Sequence, residues 1–137
     1  MATVNTYLNF NGNTEEAFNF YKSVFGGEFG MVQRFKDGPG GDKIPAEDQN
    51  KIMHVALPIG SNVLMGTDVG GGMPPVVFGT NSSISIEPAS EDEAHKLFSG
   101  LSAGGQIGMP LQKMFWGGLF GYFTDKFGVQ WMLNLQQ

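Results

Sequence analysis

NTEEAFNFYKSVFGG at residues 13–27 and SEDEAHKLFSGLSAGG at residues 90–105 are one pattern written twice. In the first copy Glu16-Ala17 is followed by Tyr21, Val24 and Gly26-Gly27; in the second, Glu93-Ala94 is followed by Phe98, Leu101 and Gly104-Gly105. Each opens on a residue suited to cap a helix, Asn13 or Ser90, with a glutamate three positions later to complete a capping box, and each stops at a glycine pair. Between these signals lie apolar stripes at helical spacing: Ala17, Phe18, Tyr21, Val24 and Phe25, then Ala94, Leu97, Phe98 and Leu101. The copies are 77 to 78 residues apart. That period is too long for a solenoid, so the pattern implies one supersecondary unit duplicated and paired within a single domain.

The flanking segments extend the duplication. Residues 4–10 alternate, with Val4, Leu8 and Phe10 at even positions, and predict a half-buried strand. A strand is expected over 29–35, then a polar Gly- and Pro-rich loop over 36–50, whose length suits a mobile lid, a partner-binding arm or a disordered insertion. Residues 52–59 and 62–67 predict a hairpin turning at Gly60-Ser61. A strand over 83–87 precedes the second helix, and strands near 106–109, 118–124 and 129–135 follow it. The order is βαβββ twice, an α+β chain of one domain over 1–137, with a first unit over 1–68, a connector over 69–80 and a second unit over 81–137.

At 137 residues the chain can bury a core without staples, and it has no cysteine. Thiol nucleophiles, Cys-ligated zinc and disulfides are thereby excluded, and the composition suits a reducing cytoplasm. Residues 1–10 carry no basic region and no apolar run approaches the roughly 20 residues of a membrane span, so a soluble cytoplasmic protein without membrane partners is expected. The net charge of −5 comes with scattered basic residues, which argues against a nucleic-acid partner, since phosphates require a basic stripe. Twelve phenylalanines and eight methionines suit either an adaptable apolar pocket or ordinary core filling.

Chemistry-bearing motifs are sparse. Gly70-Gly71-Gly72 is followed by prolines rather than a helix, so it is not a dinucleotide cradle. His95 lies beside the apolar stripe of its helix and is expected at the surface. His54 is different: if Met53, Val55 and Leu57 share one strand face, His54, Ala56 and Pro58 share the other, where His54 is either a pocket residue or a hydrogen-bonded structural histidine.

Phe115-Trp116-Gly117-Gly118-Leu119-Phe120-Gly121 is the most distinctive run, followed by Thr124-Asp125-Lys126-Phe127-Gly128-Val129-Gln130-Trp131-Met132. With the opening Tyr7-Leu8, Phe10, Gly12-Asn13, Glu16-Ala17 and Phe20-Tyr21, these motifs resemble the PhnB-like branch of the vicinal oxygen chelate superfamily, home also to glyoxalase I, bleomycin-resistance proteins and extradiol dioxygenases. The resemblance spans the whole chain; Gln130 stands where the branch commonly has proline.

The resemblance implies two tandem βαβββ units forming a cupped mixed sheet with helices on the convex face. It also implies metal ligands on the first and last strand of each unit, which map to Asn5 or Thr6, Met65, Ser83 and Met132. None suits a hard divalent ion, so no metal and no cofactor are expected. Relatives carry a demethylubiquinone methyltransferase label, for which the chain has no cofactor motif. The cup should be lined by Tyr7, Asn9, His54, Met65, Ser83, Ser85 and Met132, with Trp116 or Phe115 arriving from the glycine-rich run. Such walls suit a flat or amphipathic small molecule, and metal-free antibiotic-binding members of the superfamily imply a homodimer that sequesters a ligand. The alternatives are a lyase- or oxygenase-type enzyme with His54 as acid or base and Asp125 or Glu87 as helper, or a pure assembly unit.

Overall fold

The computed structural model describes residues 1–70 and 72–136. Gly71, the middle of the glycine run, lies outside the described residues. Strand β1 (Thr6–Phe10), helix α1 (Thr14–Phe25), β2 (Met31–Arg34), β3 (Ile52–Ile59) and β4 (Asn62–Asp68) precede β5 (Ile84–Ile86), α2 (Glu91–Ser102), β6 (Gln106–Lys113), β7 (Leu119–Thr124) and β8 (Gln130–Leu135). The expected βαβββ order occurs twice. Strand pairing gives two four-stranded mixed sheets, ordered β1-β4-β3-β2 and β5-β8-β7-β6, in which β1 with β4 and β5 with β8 are the parallel pairs.

Two compact units, Met1–Val77 and Phe78–Gln137, divide the chain. In the first, Asn11 holds the end of the long connection: its Nδ2 donates to the Val76 carbonyl at 3.1 Å and its Oδ1 accepts from Val76 N at 2.7 Å. In the second, Phe78 packs at Gly128, where a Cβ would come within 2.9 Å of its ring. Among the described residues no helix is long and apolar enough to cross a membrane.

Each sheet is packed by its own helix on one face. Phe10, Ala17, Phe18 and Tyr21 are fully buried in the first unit, with Phe18 edge-on to both Phe10 and Tyr21 at centroid distances of 6.5 and 5.5 Å. Burial of each such ring stabilises by about 1.5–3 kcal/mol. Gly66 on β4 makes room for Phe18: a Cβ there would lie 2.5 Å from the ring. In the second unit Phe98 meets Phe123 edge-on at 5.0 Å and sits over Gly121, where a Cβ would come within 2.8 Å of it.

The two helix starts differ from each other and from the symmetrical expectation. Ser90 caps α2 as expected, its Oγ accepting from Glu93 N at 3.2 Å, while Glu93 Oε1 reaches back to Ala89 N at 2.8 Å. Asn13 makes no side-chain cap bond and sits at φ −116°, ψ 25°. The capping box with Glu16 is therefore corrected. The buried carboxylate of Asp68, at the end of β4, takes its place: Oδ1 accepts from Gly12 N, Thr14 N and Thr14 Oγ1, and Oδ2 accepts from Ile52 N. A fixed anion at a helix N-terminus satisfies orphan N–H groups and complements the helix dipole, so a tertiary group outcompetes the local one.

The 36–50 loop is structured. It carries 3-10 turns at Phe35–Asp37 and Gly41–Lys43, and backbone bonds from Phe35 N to Lys51 O and Lys36 N to Gln49 O close its base. Arg34 secures that base by donating to the Asn50 carbonyl at 2.7 Å and to both carboxylate oxygens of Glu15.

Candidate functional site

Because Gly66 faces α1, alternation turns Met65 and Thr67 to the opposite, helix-free face of the first sheet. Tyr7 is registered beside Met65, Asn9 beside Thr67, and Ala56 lies on the far side of Met65. On β3, Val55 and Leu57 are buried under the helix, and His54 belongs to the same face as Ala56. The Tyr7 hydroxyl reaches His54 Nδ1 at 3.2 Å, with ring centroids 5.7 Å apart. Tyr7 is 44% exposed, and a phenolic O–H donating to Nδ1 leaves the proton on Nε2. The structure thus brings Tyr7, His54 and Met65 together, with Asn9 one step along the strand.

Two further residues join this face that the sequence reading missed. Met31 pairs with Ala56 and Gln33 with His54 across β2 and β3. The alternation of β2 was legible, but which residues of β3 it would face was not, because register is set by the pairing of the two strands.

The second sheet repeats the arrangement. Gly121 faces α2, so Tyr122 and its partner Met132 lie on the helix-free face, with Ser85 on the other side of Met132 and Met109 beyond Tyr122. Met65 and Met132 occupy equivalent places in the two sheets, as do Met31 and Met109. Ser85 and Met132 are brought together as register partners; Ser83 precedes β5 and is exposed. Trp116 lies in the turn between β6 and β7, closed by bonds from Met114 N to Gly118 O and Gly117 N to Met114 O, where it meets Phe115 edge-on at 5.0 Å. Tyr122, Phe120 and Asn134 complete this face and were not singled out from sequence, although the alternation of β7 and β8 would have found them.

Of the candidate helpers for acid–base chemistry, Asp125 has another occupation. Asp125 is buried, its Oδ1 accepting from Phe127 N at 2.8 Å and Val129 N at 3.0 Å and its Oδ2 from Trp131 Nε1 at 2.8 Å. It organises the turn into β8. Glu87 lies just past β5 and is exposed, as is His95 on α2.

The donors at the positions where the superfamily holds a metal do not fit one. Thr6 is registered with Leu64 on the helix side, a correction to its placement as a candidate ligand position. Asn5 Oδ1 accepts from Val63 N at 3.1 Å. The remaining groups are serine hydroxyls and the thioethers of Met65 and Met132, soft or weak donors for ions that favour imidazole and carboxylate. Among the described residues no three His, Asp or Glu side chains gather in a group that could hold a metal ion. Among the described residues that follow the glycine run, up to β5, there is no helix of the kind a dinucleotide cradle opens into.

A family model described as 3-demethylubiquinone-9 3-methyltransferase matches residues 2–134. Protein YjdN from Escherichia coli is 30% identical, covering 94% of this chain and 92% of its own. The structure of PA1353 from Pseudomonas aeruginosa is 41% identical with a TM-score of 0.88, covering 100% of this chain and 99% of its own. A PhnB protein from Bacillus cereus is 28% identical with a TM-score of 0.76 over 98% and 99% of the two chains. The fosfomycin resistance protein FosX from Listeria monocytogenes shares the fold alone, at 14% identity and a TM-score of 0.65 over 100% and 94%. So does a glyoxalase-related enzyme from Fulvimarina pelagi, at 19% and 0.67 over 99% and 89%.

Proposed function

The chain belongs to the PhnB-like family that carries the 3-demethylubiquinone-9 3-methyltransferase description, and from that membership we propose that it is a metal-independent, cytoplasmic homodimer that binds a small organic molecule. The observation that carries this reading is the composition of the helix-free sheet faces. Aromatic rings and thioethers, Tyr7 with Met65 and Tyr122 with Met132, stand there beside a few polar groups, the mixture that small-molecule sites use to combine apolar contact with orientation. Self-association is supported by β2, an edge strand on which Met31 and Val32 are 48% and 44% exposed.

Native mass spectrometry of protein purified without chelator, beside elemental analysis for transition metals, tests the reading. A metal-free dimer, with or without a retained organic molecule, is the expected result. One tightly held metal per subunit, or a monomer at micromolar concentration, would overturn it.

The Tyr7–His54 hydrogen bond favours a second reading, an enzyme of lyase or oxygenase type in which His54 transfers a proton through Nε2. His54→Ala separates the two. Ligand affinity stays within a few-fold if the protein only binds; turnover is abolished if His54 is the acid or base.

A further inference from the structure

We propose that the carboxamide of Asn134 is the polar anchor of a ligand site on the helix-free face of the second sheet, and that this site takes an uncharged planar molecule with a hydrogen-bond donor beside an acceptor, of the aryl amide class. The proposal rests on the small-molecule-binding reading and narrows it to one face, one residue and one chemistry.

The first observation is the state of Asn134 itself. Its Oδ1 is buried and has no hydrogen-bond partner, a condition that native proteins avoid and that marks a group kept for something else. The carboxamide turns on a broad two-fold torsion, so it can present oxygen and N–H together to an incoming amide edge, its own complement. Asn134 is registered beside Phe120, and two residues earlier Met132 is registered beside Tyr122. The amide thus stands at one end of an apolar platform.

The second observation is how that platform is built. The Tyr122 ring lies against Gly108 of β6, where any Cβ would collide with its Cε1 and Cδ1 atoms. A strand glycine at this point holds the ring close to the neighbouring backbone. Phe120 and Tyr122 stand 6.3 Å apart at 59°, a pair of aromatic surfaces suited to a flat ligand.

The third observation is charge. No Lys, Arg, His, Asp or Glu is among the register partners on this face, from Ser85 on β5 to Gln112 on β6, and the charge that flanks it, the exposed Glu87 two residues after Ser85, is negative. Lys113 pairs with Glu91 of α2 at 3.6 Å, on the other side. An anion seated here would lose its hydration without gaining a counter-ion, so the site takes a neutral amide over the matching carboxylate.

The test uses the full chain with ¹³C-methyl methionine, in which Met132 reports on the second sheet and Met65 on the first. Benzamide is the probe and benzoate its charged counterpart. Expected results are a saturable shift of the Met132 methyl with benzamide, none with benzoate at the same concentration, and at least tenfold weaker benzamide binding in Asn134→Leu. The same substitution raises the melting temperature of the ligand-free protein, because it replaces an unpartnered buried amide. Asn134→Asp, nearly isosteric but lacking the donor, also weakens benzamide at least tenfold. The proposal is overturned if Asn134→Leu binds benzamide within twofold of the parent, if it melts lower, or if benzoate binds as well. Benzamide shifting only the Met65 methyl sinks the Asn134 assignment and leaves small-molecule binding standing. A panel of flat neutral and charged molecules that moves neither methyl sinks both.

Discussion

Asp68 Oδ1 accepts from the Thr14 hydroxyl at 2.6 Å, joining the last residue of β4 to the first residue of α1 across 54 positions of sequence. The same carboxylate serves Gly12 N and Thr14 N, and its other oxygen serves Ile52 N at the start of β3. One side chain therefore fixes a helix start and two strands. Asp68→Ala strands these donors in a buried place, and we expect a loss of about 3 kcal/mol or more. Asp68→Asn keeps one acceptor but turns a donor toward Ile52 N, for about 2 kcal/mol. Urea denaturation measures both; a loss below 1 kcal/mol for the alanine variant would show that water replaces the carboxylate.

Gly66→Ala places a methyl group 2.5 Å from the Phe18 ring. Overpacking of this kind costs about 1–3 kcal/mol. Phe18→Leu, destabilising by itself, should become less so in the Gly66→Ala background, because the smaller side chain vacates the contested space. Additive effects in that double-mutant cycle would mean the two positions do not share it.

Tyr7→Phe removes the hydroxyl that faces His54 Nδ1. Long-range ¹⁵N correlation spectra should show the Nε2–H tautomer dominant in the parent and less so in the variant. A parent dominated by Nδ1–H would mean that histidine donates to tyrosine, and the acid–base reading would then lose its prepared Nε2 proton.

Glu15 supplies the pH dependence. The hydrogen bond from Arg34 holds its carboxyl below the ordinary 4.5, with the opposite charge reinforcing this and partial burial opposing it. A carboxyl whose folded value is depressed contributes stability that is present above about pH 4.5 and is lost as the pH falls through the lowered value. Glu15 is 54% exposed in this pair, so solvent screening limits the contribution to about 0.5 kcal/mol. The stability difference between the parent and Glu15→Gln should shrink between pH 7 and pH 3, and shrink also in high salt. A difference that persists unchanged at pH 3 would remove charge as its cause.

Zinc, nickel or ferrous iron added at tenfold excess should leave the melting temperature of the parent unchanged, since serine hydroxyls and methionine thioethers form no hard-metal site. A rise that Met65→Leu or Met132→Leu abolishes would show the thioethers to be ligands after all.

The sequence by itself determined the element order. Helix stripes at 3.6-residue spacing, glycine stops and period-two strands are local signals, and they placed both βαβββ units, the 60–61 turn and the Ser90 cap. They also placed Tyr7, His54 and Met65 on one face, because alternation within β1, β3 and β4 is enough once the strands are known. Tertiary structure alone decided the rest. Asp68 capping α1 in place of Asn13 depends on two segments 54 residues apart meeting, and no local signal encodes that distance. Gln33 facing His54 depends on the pairing register of β2 with β3, and Met109 facing Tyr122 on shifts in β6. A slipped register moves side chains between faces without changing a residue of the sequence. The same holds for Asn134: its place on β8 follows from alternation, but its unpartnered oxygen is a property of what surrounds it, which only the folded chain defines.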